Sequence, residues 1–159
     1  MTEPPARTRS TRVSRIIKAP REAIYRAFLE PEAVAAWLRP PDMLARVHEF
    51  DPREGGRFRM SLSYKNPAAS PRGKTSEDTD TYQGRFAQLV PYEKIVELIE
   101  FESRDAAFAG EMKFTALLAD TGEGTEVSLI CEDIPPGISL EDNELGSSLS
   151  LQNLAAFIE

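Results

Sequence analysis

The stretch from Ser139 to Glu159 holds the longest single hydrophobic period in the chain, and it constrains the fold most. At about 100° per residue, Leu140, Ser147, Leu151, Leu154 and Ile158 fall on one stripe, with Ala155 beside it. The spacing predicts a helix. Ser139 suits its N-cap, because the hydroxyl accepts from a free N–H of the first turn. Glu141, Asp142 and Glu144 then set negative charge against the positive end of the helix dipole. Burying Leu151, Leu154 and Ile158 contributes roughly 1.5–3 kcal/mol each, which favours docking on another layer over a free tail.

The stripe is uneven. Its second half is large and apolar, while its first half passes through Asn143, Gly146, Ser147 and Ser150. Gly146 costs about 1 kcal/mol of helix propensity relative to alanine. A helix that fills space late and leaves space early roofs a cavity with its first half. The alternative is a solvated first half with Leu145 and Leu149 turned inward.

The chain before this helix reads as short strands. Residues 1–10 are polar and hold two prolines, which predicts a disordered arm; residues 11–159 read as one domain. Thr11–Lys18 alternates as a first strand. Pro20 and Pro31 each open a short helix, the first carrying Ala23, Ile24, Ala27 and Phe28, the second Val34, Trp37 and Leu38. A meander follows: Arg46–Phe50, Arg57–Tyr64, Thr81–Val90, Ile95–Phe101, Met112–Leu118 and Thr125–Glu132. Turns fall at Asp51 to Gly56, where paired glycines can take positive φ, at Pro91 to Glu93 and at Thr121 to Gly124. Lys65–Asp80 reads as a long mobile loop and a candidate lid. The fold class is α+β: strands of this length and spacing suit an antiparallel sheet, and a strongly bent sheet with the closing helix across its concave face is one way to bury both.

Composition excludes several classes. A net charge of -7 argues against a general nucleic-acid binder. Basic residues do crowd the start, from Arg7 to Arg26, and fit a solvated arm and an outer strand face better than an anionic partner. No apolar run reaches the ~20 residues of a membrane span. The first residues lack the apolar core of a secretory signal. Cys131 is the only cysteine, so no intrachain disulfide forms, and a cytoplasmic location is the simplest expectation.

The candidate pocket residues follow from parity. Phe58, Met60, Tyr82, Phe86, Met112 and Phe114 share the parity of a strand interior, with Tyr82 as a polar handle that orients a ligand. Trp37, Ser147 and Leu151 join them from the helices. Glu97 and Glu100 interrupt an apolar strand on opposite faces, so one points inward, where burial raises its pKa unless an arginine such as Arg85 pairs with it. His48, the only histidine, is a pocket candidate and an acid–base group by type, although no partner lies near it in sequence. Cys131 reads as a small buried hydrophobe. No metal-ligand spacing and no phosphate loop is present, so no cofactor is expected.

Trp37, the run Asp51-Pro52-Arg53-Glu54-Gly55-Gly56-Arg57-Phe58, Gly84-Arg85-Phe86, Val90-Pro91 and Gly124-Thr125-Glu126-Val127 carry a resemblance. So does Asp142-Asn143-Glu144-Leu145-Gly146 running into Ser150-Leu151-Gln152-Asn153-Leu154-Ala155. The chain resembles the helix-grip (START-like, Bet v 1-like) superfamily, and within it the bacterial proteins related to the activator of Hsp90 ATPase. The resemblance covers nearly all of residues 11–159. It implies a helix-grip fold: a curved antiparallel sheet of about seven strands around a long C-terminal helix, with two short helices after the first strand. It also implies a hydrophobic pocket between sheet and helix for a small apolar molecule, and it makes a homodimer an option that no residue here argues for. It does not imply Hsp90 activation, because the eukaryotic activators carry a second domain. Relatives often carry a bulky residue where this chain has Ser147, which gives this cavity more room if Ser147 faces inward.

The leading functional expectation is a binding protein for a small apolar ligand. One alternative is a cyclase, dehydratase or hydrolase using His48, Tyr82 or Glu97, which requires at least two of these to share one pocket. The other is a chaperone-linked interaction protein acting through its outer surface.

Overall fold

The computed structural model describes residues 9–38, 43–64, 79–103 and 106–159. The chain forms β1 (Thr11–Ile17), α1 (Arg21–Leu29), α2 (Pro31–Trp37), β2 (Met43–Phe50), β3 (Arg57–Tyr64) and β4 (Thr79–Val90). It continues with β5 (Lys94–Phe101), β6 (Met112–Thr121), β7 (Gly124–Glu132) and α3 (Leu140–Ile158). The expected lid at Lys65–Asp80 lies outside the described residues over 65–78, as does the expected arm over 1–8. At the end of that arm, Arg9 is tied down: its carbonyl accepts from Ile134 N at 3.0 Å, and its guanidinium donates to Ile138 O.

The seven strands form one antiparallel sheet in the order β1-β7-β6-β5-β4-β3-β2. Only β1 leaves chain order, crossing to pair with β7, so the two short helices bridge the ends of the sheet. Period-2 patterning explains the strands. Phe58 and Met60 on β3, Phe86 on β4, Ile95 on β5 and Leu129 on β7 are buried in a single core. Opposite-parity residues on β3 and β4, such as Arg59 and Arg85, bond outward to Glu102 and Glu111. Two β-bulges bend the sheet, one between Val47 and Glu49 on β2, the other between Phe86 and Gln88 on β4. The result is a curled half-barrel that α3 closes.

Glycines mark the places where the bend brings backbones together. Gly55 takes φ 82°, as the turn requires. Gly56 is needed for a different reason, since a Cβ there would lie 2.0 Å from Asp51 O. Pro20 sits one position earlier than expected, as the N-cap of α1, and Pro31 opens α2.

On α3, Ser139 Oγ accepts from Asp142 N at 3.0 Å, the expected cap. Leu151, Leu154 and Ala155 are buried in the second half. Leu140, placed on the buried stripe by spacing, is exposed. Leu145 is 60% exposed, so the alternative in which it turns inward fails. Among the described residues no helix is long and apolar enough to cross a membrane.

Candidate functional site

A cavity of about 540 Å³ lies between the sheet and the first half of α3. The helix contributes Asp142, Asn143, Gly146, Ser147 and Ser150 to its roof. These side chains are small or polar and leave the space beneath them unfilled. Phe28, Val34 and Trp37 close one end from α1 and α2. Trp37 is held by its indole N–H, which donates to Ala27 O at 2.9 Å, and by an edge-on contact with Phe28.

The floor is the concave face of the sheet. Phe58 and Met60 come from β3, Tyr82 and Phe86 from β4, Met112 and Phe114 from β6. Their rings interlock: Phe58 lies 5.2 Å from Phe86 and 6.5 Å from Tyr82, centroid to centroid. The Tyr82 hydroxyl lies 3.6 Å from Met60 Sδ.

Glu97 is the inward carboxylate of β5, while Glu100 is exposed on the other face. Arg85 is not its partner; that guanidinium bonds Glu111 at 2.9 Å. Glu97 makes no hydrogen bond or ion pair with any described residue, and the surface it keeps faces the cavity. In the sheet register it stands opposite Phe86 on one side and Phe114 on the other. Burial without a compensating partner pushes its pKa up to about 8.

Beside it, Cys131 on β7 pairs with Phe114 and with Thr11 of β1. The thiol is buried, reduced and in reach of the hydrogen-bonding groups of Asn143, Ser147 and Thr11. Burial pushes the thiol up, outweighing those contacts. Thr11 Oγ1 in turn donates to Asn143 Oδ1, linking the first strand to the last helix. One end of an otherwise aromatic cavity therefore carries a small polar cluster. Among the described residues no group of His, Cys, Asp or Glu is placed to hold a metal ion.

Of the residues singled out in the sequence, Trp37, Phe58, Met60, Tyr82, Phe86, Glu97, Met112, Phe114 and Ser147 border this one cavity. Two do not. His48 is the bulged residue of β2, exposed, and its Nε2 lies 2.7 Å from Ser61 Oγ on the outer face. It borders a separate surface cleft with Pro31 and Glu32. Counting alternate residues back from Phe50 puts His48 inside, but the bulge inserts a residue and reverses the parity. Leu151 is packed shut in the core under the second half of α3 and does not border the cavity.

Sequence reasoning missed Phe50, Phe101 and Phe108 as lining residues. Phe101 shares the parity of Glu97 on β5, so its signal was present. Phe50 faces inward through its pairing with Phe58. Phe108 sits in a single 3-10 turn and carries no periodic signal.

A half-barrel gripping one long helix, with a cavity between them, defines the helix-grip class. The chain matches the Activator of Hsp90 ATPase homolog 1-like protein family over residues 18–159, and it belongs to that family. Among solved structures it is similar to protein CV1439 from Chromobacterium violaceum, at 35% identity and a TM-score of 0.81, over 94% of this chain and 97% of that one. It shares its fold with protein Ms6760 from Mycobacterium smegmatis, at 15% identity and a TM-score of 0.73, over 94% of this chain and 90% of that one. The same holds for the AHSA1-like protein from Aeromonas hydrophila, at 16% identity and a TM-score of 0.68, over 93% and 90%. No curated protein matches this chain in sequence.

Proposed function

We propose that this protein binds a small apolar molecule in the cavity beneath the first half of α3. The observation that carries the reading is the unfilled 540 Å³ space lined by rings and thioethers. Interiors are packed as tightly as organic crystals, and a void of this size forfeits dispersion contacts that an apolar guest restores. Burial of the guest supplies the driving force, and the few polar groups at the Glu97–Asn143 end set its orientation. A cytoplasmic setting agrees with a lone cysteine, Cys131, kept as a buried thiol.

Trp37 is the only tryptophan, is buried, and borders the cavity, so its emission reports occupancy directly. Titration with N-phenyl-1-naphthylamine, an uncharged dye at neutral pH, is expected to shift Trp37 emission saturably at one site per chain. Ser147→Phe, which places a ring in the roof, is expected to weaken that binding at least about tenfold while the protein stays folded. Unchanged dye affinity in a folded Ser147→Phe protein would overturn the reading.

A catalytic reading has one specific observation in its favour. Tyr82 and Glu97 share the cavity, and a carboxyl that titrates near 8 holds or releases a proton at working pH. His48 plays no part in it, being outside the cavity. Turnover of a bound ligand that is abolished by Glu97→Gln with dye binding retained would establish it.

A further inference from the structure

Among the described residues, the cavity is lined by two carboxyl groups, Glu97 and Asp142, and by no lysine, arginine or histidine. Asp142 is exposed on α3, in the roof; Glu97 is half-buried on β5, in the floor. The other titratable groups that face Glu97 are the Cys131 thiol on β7 and the Tyr82 phenol on β4, and neither is cationic. The elements that pack over it from α1, α2, β3 and β6 present only apolar side chains to the cavity. Among the described residues, Glu97 is thus a carboxyl that borders an apolar space and has no hydrogen-bond or ion-pair partner. An unpartnered buried carboxyl is costly, and a structure that keeps one leaves its hydrogen-bonding capacity for something outside the chain.

We propose that the occupant of this cavity is an apolar amine: a hydrophobic body carrying one basic nitrogen that is seated against the Glu97 carboxylate. The proposal rests on the binding reading above and sharpens it to a ligand class. A fatty acid or other anionic amphiphile would bring a further negative charge beside Glu97 and Asp142, with no cation among the described lining residues to receive it. A neutral alcohol would use the carboxyl only as a neutral hydrogen-bond partner. An ammonium group satisfies the carboxylate with a charge-assisted hydrogen bond among apolar walls, the stronger arrangement. The exposed carboxylate of Asp142 in the cavity lining adds attraction for an incoming cation, as does the overall charge of -7.

In the empty cavity at neutral pH the Glu97 carboxyl carries its proton, as its elevated pKa of about 8 requires. An entering ammonium replaces that proton as the charge partner, so the carboxyl releases one proton to solvent. An amine that enters in its neutral form takes the same proton from Glu97 directly. Either route ends in the carboxylate–ammonium pair.

The test compares octylamine, 1-octanol and octanoate by calorimetry on the full chain, in two buffers of different ionisation enthalpy. The expected order is octylamine tightest, by roughly tenfold or more over octanol, with octanoate weakest. At pH 7 the amine is expected to release close to one proton, and at pH 9 far fewer, because the carboxyl is already ionised. Glu97→Gln is expected to erase the preference for the amine and the proton release, while octanol and dye binding persist. Octanol binding as tightly as octylamine to the unmodified protein, or an amine preference that survives Glu97→Gln, overturns the proposal and leaves the apolar binding site intact. Failure of all three probes and of the dye overturns the binding reading itself.

Discussion

Glu97 on β5 stands directly opposite Phe86 on β4, in an antiparallel pair whose other neighbour, on β6, is Phe114. A carboxyl is therefore flanked by two rings on the concave face of the sheet. Its consequence is a pH dependence of a particular sign. Burial raises the folded pKa from the ordinary 4.5 to about 8. Between those values the unfolded chain has lost the proton and the folded chain keeps it. Stability is therefore fully present below the unfolded value and declines as pH rises, by about 1.4 kcal/mol per unit, until the folded pKa is passed. Thermal melts from pH 5 to pH 9 should show Tm falling and then levelling. Glu97→Gln should flatten that limb, and an equal slope in the variant would refute the assignment.

At lower pH a different pair governs. Arg59 holds the Glu102 carboxyl below its usual range through two hydrogen bonds, at 2.7 and 2.9 Å. That stability is present above the ordinary carboxylate value and is lost as pH falls through the depressed one. The two groups thus act in separate windows, and Glu102→Gln should blunt only the acid limb of the same melts.

Gly146 lies in the roof of the cavity, and a Cβ built there meets nothing within 4 Å. Its backbone is helical, so alanine fits without strain. Gly146→Ala should stabilise the protein by roughly 0.5–1 kcal/mol, measured by denaturant midpoint at unchanged slope. Destabilisation would mean that this turn of the helix is held by more than its own propensity.

Gly84 shows the opposite case. It pairs with Phe58 on β3 and Ile99 on β5, and a Cβ there would lie 2.1 Å from Leu98 O and 2.7 Å from the Phe58 ring. The backbone contact cannot give way without moving β5. Gly84→Ala should cost about 2–3 kcal/mol or prevent folding altogether. A melt within error of the parent protein would contradict the close approach.

Cys131 borders the cavity, but burial keeps its thiol protonated. A thiol-specific disulfide reagent at pH 7 should modify it slowly in the native state and rapidly in denaturant. Octylamine at saturation should slow the native reaction further if the occupant reaches the Asn143–Ser147 end. Rapid modification of the native protein would show the cavity floor to be open to bulk solvent.

The sequence by itself determined the element order, the two proline-opened helices, the capped closing helix and the inward parity of most strands. All of these are written in short periods, near two residues in a strand and near 3.6 in a helix, and each is decided by neighbours in the chain. The small side chains in the first half of α3 are local information too, and they line the cavity. Tertiary structure alone decided the rest. His48 left the cavity because a bulge on β2 shifted the register against β3, and no residue of β2 announces that shift. Glu97 has no partner among the described residues because Arg85 faces the other side and meets Glu111, a residue from a different connection. Leu140 stayed exposed although its spacing put it on the buried stripe of α3. Each outcome depends on which strand lies alongside and how far the sheet curls, and those are properties of strands brought together from distant parts of the chain.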